Sequence, residues 1–155
     1  MTPCVKQLKK SKIKYNLHQY EHDDSCKSYG EEASQKLSIA SERVFKTLVV
    51  MSDTKEFAVG IIPVSSMLSM KLIAKILGAK KVTMADTKDV EKITGYVLGG
   101  VSPIGQKKKL KTIIEISAKN FVTIFVSAGK RGLEIELNSE DLKGLTNAEF
   151  DTICQ

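Results

Sequence analysis

The stretch Arg43-Val44-Phe45-Lys46-Thr47-Leu48-Val49-Val50-Met51 constrains the fold of this chain more than any other. It is rich in β-branched and apolar side chains and runs into the turn-forming Ser52-Asp53-Thr54, so it reads as a buried strand. Strand alternation sets Val44, Lys46, Leu48 and Val50 on one face and Phe45, Thr47, Val49 and Met51 on the other. Both faces are apolar except at Lys46 and Thr47. A lysine in such a strand must reach solvent along its stem, pair with an acid, or line a polar pocket that receives a ligand. The strand alone leaves these three outcomes open.

Neighbouring segments supply partners for that strand. Residues 57–64 read as a second strand, forming a hairpin with the first. Thr2-Pro3 is a helix start, a cap followed by proline, and residues 15–20 alternate as a strand. A polar loop over 21–29 leads into a short helix over 30–37. Ser69 can cap a helix carrying Leu72, Ile73, Ile76 and Leu77 at helical spacing, stopped by Gly78. Residues 81–84 predict a short strand, and Asp86 caps a helix ending at Gly95. Residues 96–100 predict a strand that finishes in the pair Gly99-Gly100. Further strands are expected over 112–116 and 121–127, with a turn at 128–132 before a strand over 133–137 that carries Glu134 and Glu136 on its polar face. Ser139 and Thr146 are placed as caps of two short terminal helices. The sum is a mixed α/β chain, one domain over residues 1–155, with a barrel-like mixed sheet flanked by helices.

Composition narrows the function classes. The chain is 42% hydrophobic and 27% charged, as ordinary globular proteins are, and no apolar run approaches the ~18 residues of a membrane span. Lysines interrupt the first fourteen residues, so no signal-peptide core is expected and the cytoplasm is the expected location. Cys4, Cys26 and Cys154 are odd in number and form no C-x-x-C, which points to a reducing compartment rather than a disulfide framework or zinc site. The net charge of +6 tilts the partners toward polyanions such as nucleic acid. Lys107, Lys108, Lys109 and Lys111 are either a solvated face or a track for phosphates.

Common catalytic signatures are absent. His18 and His22 lie four apart, but no glutamate directly follows His18, and the segment reads as strand and loop; surface histidines fit better than a metal site. Residues 100–107 nearly match a phosphate-binding loop, yet Gln106-Lys107 stands where Lys-Ser or Lys-Thr is needed, and Pro103 has no N–H to offer. Nucleotide hydrolysis is therefore excluded. Gly99-Gly100 could still let a ligand approach the backbone closely, or form a plain turn. There is no Gly-x-Ser-x-Gly elbow, and no motif places a histidine beside a serine or cysteine. An enzyme of this sequence works without a strong protein nucleophile.

Several segments together carry a family resemblance. Met-Thr-Pro at the start, Tyr20-Glu21-His22-Asp23, Val44-Phe45-Lys46-Thr47-Leu48 and Leu77-Gly78-Ala79-Lys80-Lys81-Val82 are four of them. Residues 95–108, from Gly95-Tyr96 through Gly99-Gly100 to Lys107-Lys108, and Val126-Ser127-Ala128-Gly129-Lys130-Arg131-Gly132 are two more. In order, over nearly the whole chain, they resemble the YbaK/EbsC proteins, relatives of the editing domain inserted in bacterial prolyl-tRNA synthetases. The resemblance implies a mixed α/β editing-domain fold. It implies trans-editing, the removal of cysteine wrongly attached to tRNA(Pro), with Cys-tRNA(Cys) as a further substrate. The family chemistry needs no cofactor or metal: the substrate's own thiol attacks its ester carbonyl and leaves as a thiolactone.

Carried onto this sequence, the resemblance makes Lys46 the central catalytic residue. Tyr20, Tyr29, Thr47, Gly99, Gly100, Ser127 and Glu134 become substrate-binding positions, and Lys107, Lys108, Lys109, Lys130 and Arg131 tRNA-contacting ones. Glu134 stands where relatives commonly have aspartate, and Tyr29 where phenylalanine is frequent. Implied partners are aminoacyl-tRNA and prolyl-tRNA synthetase, with no membrane. Two other readings accompany this one: a sister activity on another small aminoacyl group such as Ala-tRNA(Pro), and a non-catalytic module that binds tRNA or nucleotide.

Overall fold

Residues 1–25 and 28–155 are described by the computed structural model, in which short helices and strands alternate. α1 (Pro3–Ser11) begins where the Thr2 hydroxyl accepts from Val5 N–H, with proline in its first turn. β1 (Tyr15–Gln19) and α2 (Tyr29–Leu37) follow. β2 (Phe45–Ser52) and β3 (Phe57–Pro63) form the expected hairpin, antiparallel from Phe45–Pro63 to Met51–Phe57. α3 (Met70–Leu77) is capped by the Ser69 side chain and ended by Gly78 at φ 70°, a conformation glycine adopts without a Cβ clash. β4 (Val82–Met84) precedes α4 (Thr87–Thr94); Asp86 occupies the N-cap position of that helix without a side-chain hydrogen bond. β5 (Lys111–Glu115), β6 (Ile124–Lys130), β7 (Leu133–Leu137), α5 (Ser139–Thr146) and β8 (Glu149–Asp151) complete the order.

Three local expectations are corrected. Residues 96–100 form a loop, not a strand: Gly95 and Gly99 both take positive φ (81° and 90°), which breaks an extended backbone. Tyr96 anchors that loop, buried with its hydroxyl donating to Ile104 O at 2.6 Å. At the C-terminal end Asn138 is the cap, its side chain accepting from Glu140 N–H, and Ser139 is the first helical residue. Thr146 ends that same helix, its hydroxyl bonding back to Leu142 O; no second helix follows, and residues 149–151 add a strand instead. The third correction concerns β6, which starts at Ile124 and continues to Lys130 with an irregularity between Ser127 and Lys130, so the turn shrinks to Arg131-Gly132.

The strands make two sheets. One is three-stranded and antiparallel, in the order β1-β7-β6; the other has the order β4-β2-β3-β5-β8, with β3/β5 and β5/β8 parallel. They join at one bridge, Val44 to Phe125, and among the described residues no closed barrel connects them. Arg43 fastens this junction: it bonds Thr123 O and Oγ1, lies 3.5 Å from Glu136 Oε2, and stacks over Phe125. β2 alternates as the sequence predicts. Phe45 and Val49 enter one core cluster, with Ile61, Ile104, Ile124 and Ile135, while Leu48 and Val50 enter another, with Ile62, Ile73 and Ile113. Each fully buried aliphatic of this kind contributes about 1.5–3 kcal/mol. No helix among the described residues is long and apolar enough to cross a membrane.

Candidate active site

A cavity of about 320 Å³ opens where the two sheets meet. Phe45 to Leu48 of β2 form one wall, with Ser127 and Lys130 of β6 and Glu134 of β7 on the opposing sheet. Tyr20, the residue after β1, Tyr29 at the start of α2, and Leu98, Gly99 and Val101 of the 96–101 loop close the rest. Lys46, Tyr20, Tyr29, Thr47, Gly99, Ser127 and Glu134, far apart in sequence, thus border one space.

The other expected positions lie elsewhere. Gly100 does not line the cavity; its N–H bonds Val97 O, and a Cβ there would stand 3.1 Å from Lys130 Cα, so it serves close backbone packing. Lys107, Lys108 and Lys109 are exposed and do not line it either, their segment being tied to α4 through Lys107 N–H to Thr94 O and Lys108 N–H to Ile93 O. Gly105, in the near-miss phosphate loop, packs on α1 instead: a Cβ would lie 2.8 Å from the Pro3 carbonyl.

Lys46 and Thr47 point to opposite faces, yet both reach the cavity because it meets β2 edge-on. Val64 N–H donates to Val44 O and Ser52 N–H to Glu56 O, so even-numbered residues of β2 bond β3. The odd-numbered residues turn their backbone groups to the other edge. There β2 is bound at Arg43 O by Phe125 N–H and at Val49 O by Ala85 N–H. Thr47 lies in the gap between them, on a stretch without a neighbouring strand.

The side chains in that gap are under-satisfied. Thr47 Oγ1 is buried with no hydrogen-bond partner among the described residues. Buried polar atoms are almost always paired, so an orphan in a cavity wall points to a missing ligand or water. The Lys46 ammonium likewise has no hydrogen bond or ion pair among the described residues. Glu134 is 6% exposed, and burial pushes its carboxyl up to about 8, so it is largely neutral at pH 7. It forms no ion pair with Lys46. Glu134 and Glu136 share a strand face but not an environment, which corrects the expectation of a common polar face. Glu136 accepts from Thr123 and His18 and pairs with Arg43 at 3.5 Å at the sheet junction, and these hold its carboxyl below the usual range.

One wall rests on residues far apart in the chain, with no motif that links them. The Arg131 guanidinium stacks 3.9 Å from the Tyr29 ring centre and donates to the Tyr29 hydroxyl and Leu98 O. Its Nη1 lies 3.3 Å from His22 Nε2, while His22 Nδ1 lies 2.6 Å from Glu32 Oε1. Arginine only donates, so that contact uses Nε2 as an acceptor with Nδ1–H donating to Glu32, while Asp24 Oδ1 lies 3.4 Å from the same Nε2. Burial raises the Glu32 carboxyl, but hydrogen bonds from His22 and Asp23 N–H outweigh it and hold the group ionised. His22 is therefore mostly buried, in contrast to the surface position expected for it. His18 pairs with Glu136, and no group of three metal-ligating side chains stands together among the described residues.

Neither described thiol offers a nucleophile. Burial pushes Cys4 up to about 11 and Cys154 to about 12; Cys26 lies outside the described residues.

Comparison with known proteins converges on one family. Residues 23–145 match the aminoacyl-tRNA editing domain. EbsC of Enterococcus faecalis, a proposed Cys-tRNA(Pro)/Cys-tRNA(Cys) deacylase, is 38% identical over 152 residues, 98% of this chain and 92% of that protein. A proline–tRNA ligase of Caldicellulosiruptor saccharolyticus is 31% identical over 127 residues, 81% of this chain but 22% of the ligase. Among solved structures, a proposed trans-editing enzyme for prolyl-tRNA synthetase superposes with a TM-score of 0.85 at 16% identity, covering 100% of this chain and 99% of the other.

Proposed function

The chain belongs to the aminoacyl-tRNA editing domain family, and on that premise we propose that it is a trans-editing deacylase that removes cysteine from mischarged Cys-tRNA(Pro), with Cys-tRNA(Cys) as a further substrate. The observation that carries this reading is the cavity itself. It is bordered by Lys46, whose ammonium is unpaired among the described residues, by the orphaned Thr47 hydroxyl and by the neutral Glu134 carboxyl, and no activated nucleophile lines it among the described residues. Such a site can orient and polarise an ester whose attacking group belongs to the substrate.

In the proposed reaction the cysteinyl thiolate attacks its own ester carbonyl. A C–S bond forms, the C–O bond to the ribose breaks, and the amino acid leaves as a thiolactone. Lys46 stabilises the developing oxyanion. The Thr47 hydroxyl holds the aminoacyl ester, and protonated Glu134 supplies the proton taken up by the ribose oxygen. A few per cent of a free thiol is ionised at neutral pH, enough to feed this route. The chemistry also selects the substrate. Cysteine and proline are close in size, so packing separates them poorly, whereas an amino acid without a thiol has no attacking group. Prolyl-tRNA synthetase is the proposed source of the mischarged substrate and the proposed partner.

Release of labelled cysteine from Cys-tRNA(Pro) tests this directly. Loss of one oxyanion donor typically costs about 10²–10³ in rate, and Lys46→Ala is expected to fall in that range. A variant as fast as wild type would remove Lys46 from its role, and no release by wild type would sink the function. Robust release of alanine from Ala-tRNA(Pro) would replace the thiol route with a sister activity.

A further inference from the structure

A second cavity, of about 430 Å³, lies beside the first. It is lined by Gln19, Tyr20 and Glu21 at the end of β1 and by the turn over residues 130–133. Tyr20 and Lys130 border both cavities and form the sill between them. The cavities that include Lys108 and Lys109, or Glu31 and Ser65, share no lining residue with the first.

The sill has a fixed backbone. Tyr20 N–H donates to Gly132 O at 2.9 Å, and Gly132 takes φ 84° where a Cβ would lie 2.6 Å from Tyr20 O. Its two cations differ. Arg131 is tied back to Tyr29, His22 and Leu98 O, whereas the Lys130 ammonium has no hydrogen bond or ion pair among the described residues. Charge of the opposite sign enters the second cavity from Glu21.

The geometry points to the second cavity as a binding subsite for the nucleotide that precedes the esterified one, with the linking phosphodiester held at the sill by Lys130. This rests on the proposed deacylase reading for the identity of the ligand. The first cavity, at about 320 Å³, is of a size for one aminoacylated nucleoside, and the rest of a polynucleotide must leave it. A polyanion leaves most favourably past an unpaired cation. Lys130 is that cation, and the space immediately beyond it is open. Single-stranded nucleic acid is typically held by such a pairing of a cationic path with an aromatic ring, here Tyr20. The lysine run at 107–109 borders neither cavity, so it does not mark this exit.

Two non-hydrolysable amides test the assignment: 3′-cysteinylamino-adenosine, and the same group ending a cytidine-cytidine-adenosine trinucleotide. Binding of each to the full chain is measured across a salt series. The trinucleotide is expected to bind about tenfold or more tightly than the nucleoside, the scale of one hydrogen bond to a charged group. Lys130→Ala should remove most of that advantage and lower the salt slope by about 0.7, the single-strand value for one phosphate. Lys130→Arg should restore the advantage, and Glu21→Gln should enlarge it. Equal affinities in wild type overturn the subsite, as does an advantage that survives Lys130→Ala with its salt slope unchanged. Hydrolysis of the matching esters reports separately. A protein that shows the Lys130-dependent advantage but releases no cysteine keeps the subsite and loses the proposed function. One that cleaves both esters equally well, with equal amide binding, keeps the function and loses the subsite.

Discussion

Thr47 carries a hydroxyl that folding buries without a partner among the described residues, a state that costs about 1–3 kcal/mol unless something else bonds it. Thr47→Val keeps the shape and removes the polar atom. Its melting temperature is expected to equal or exceed that of wild type, while kcat/KM for deacylation falls about tenfold; a clear loss of stability would show that the hydroxyl has a structural partner. Glu134 makes the complementary case through pH. Burial raises its folded pKa to about 8, above the ordinary 4.5, so the folded state binds the extra proton between these values. Stability is therefore whole below about pH 4.5 and declines as pH rises toward 8. Glu134→Gln, which cannot ionise, should match wild type near pH 4 and be more stable by a few kcal/mol near pH 9, as denaturant unfolding at both values will show. Lys46 was legible at this scale, because a charge inside an apolar strand is a local anomaly. Glu134 was not. Leu133-Glu134-Ile135-Glu136-Leu137 alternates like any half-exposed strand, and only tertiary packing makes Glu134 the buried one of the two glutamates. The His22–Arg131 contact spans 109 positions and leaves no local trace.

At the scale of elements, the Thr2 and Ser69 caps and the β2–β3 hairpin followed from turn chemistry, whereas the 96–101 loop and the C-terminal caps did not. Tyr96-Val97-Leu98 has strand-like composition, but Val97 and Leu98 are exposed and only Tyr96 is buried. What decides the conformation is a tertiary contact, the Tyr96 hydroxyl on Ile104 O, with glycines at positive φ on either side. β8 escaped notice for a similar reason: it is three residues long and exists by pairing with β5. Gly99 gives the loop a test. At φ 90°, a Cβ would lie 2.6 Å from Arg131 Nε and 2.8 Å from the Tyr29 ring. Gly99→Ala should lose about 1–3 kcal/mol of stability through backbone strain. It should also raise KM more than it lowers kcat, because the displaced Tyr29 is a wall and not a reacting group. Thermal unfolding and steady-state kinetics check the two parts separately. An unchanged KM would mean that Tyr29 does not bound the substrate.

For the whole molecule, the mixed α/β class was readable from the alternation of elements. The meeting of the two sheets was not, since a single bridge between Val44 and Phe125 has no signature in either segment. That junction matters because the cavity is the gap left where the sheets stop pairing. Arg43 holds it with hydrogen bonds to Thr123 and a stacked contact on Phe125, and Glu136 completes the network through Thr123, His18 and Arg43. Arg43→Ala removes the guanidinium fork and is expected to lower the urea midpoint by the equivalent of about 1–3 kcal/mol. It should also reduce kcat/KM although Arg43 does not line the cavity. Arg43→Lys keeps the charge but not the planar fork, so it should recover only part of the loss. The defect should also depend on pH. Hydrogen bonds, first from Thr123 and then from His18, hold the Glu136 carboxyl below its ordinary range, so its contribution is present above about pH 4.5 and is lost as pH falls through the lowered folded value. Wild type and Arg43→Ala should therefore converge in stability as the solution is acidified. A gap between them that stays constant down to pH 3 would show that Arg43 acts through Thr123 and Phe125 alone, without Glu136.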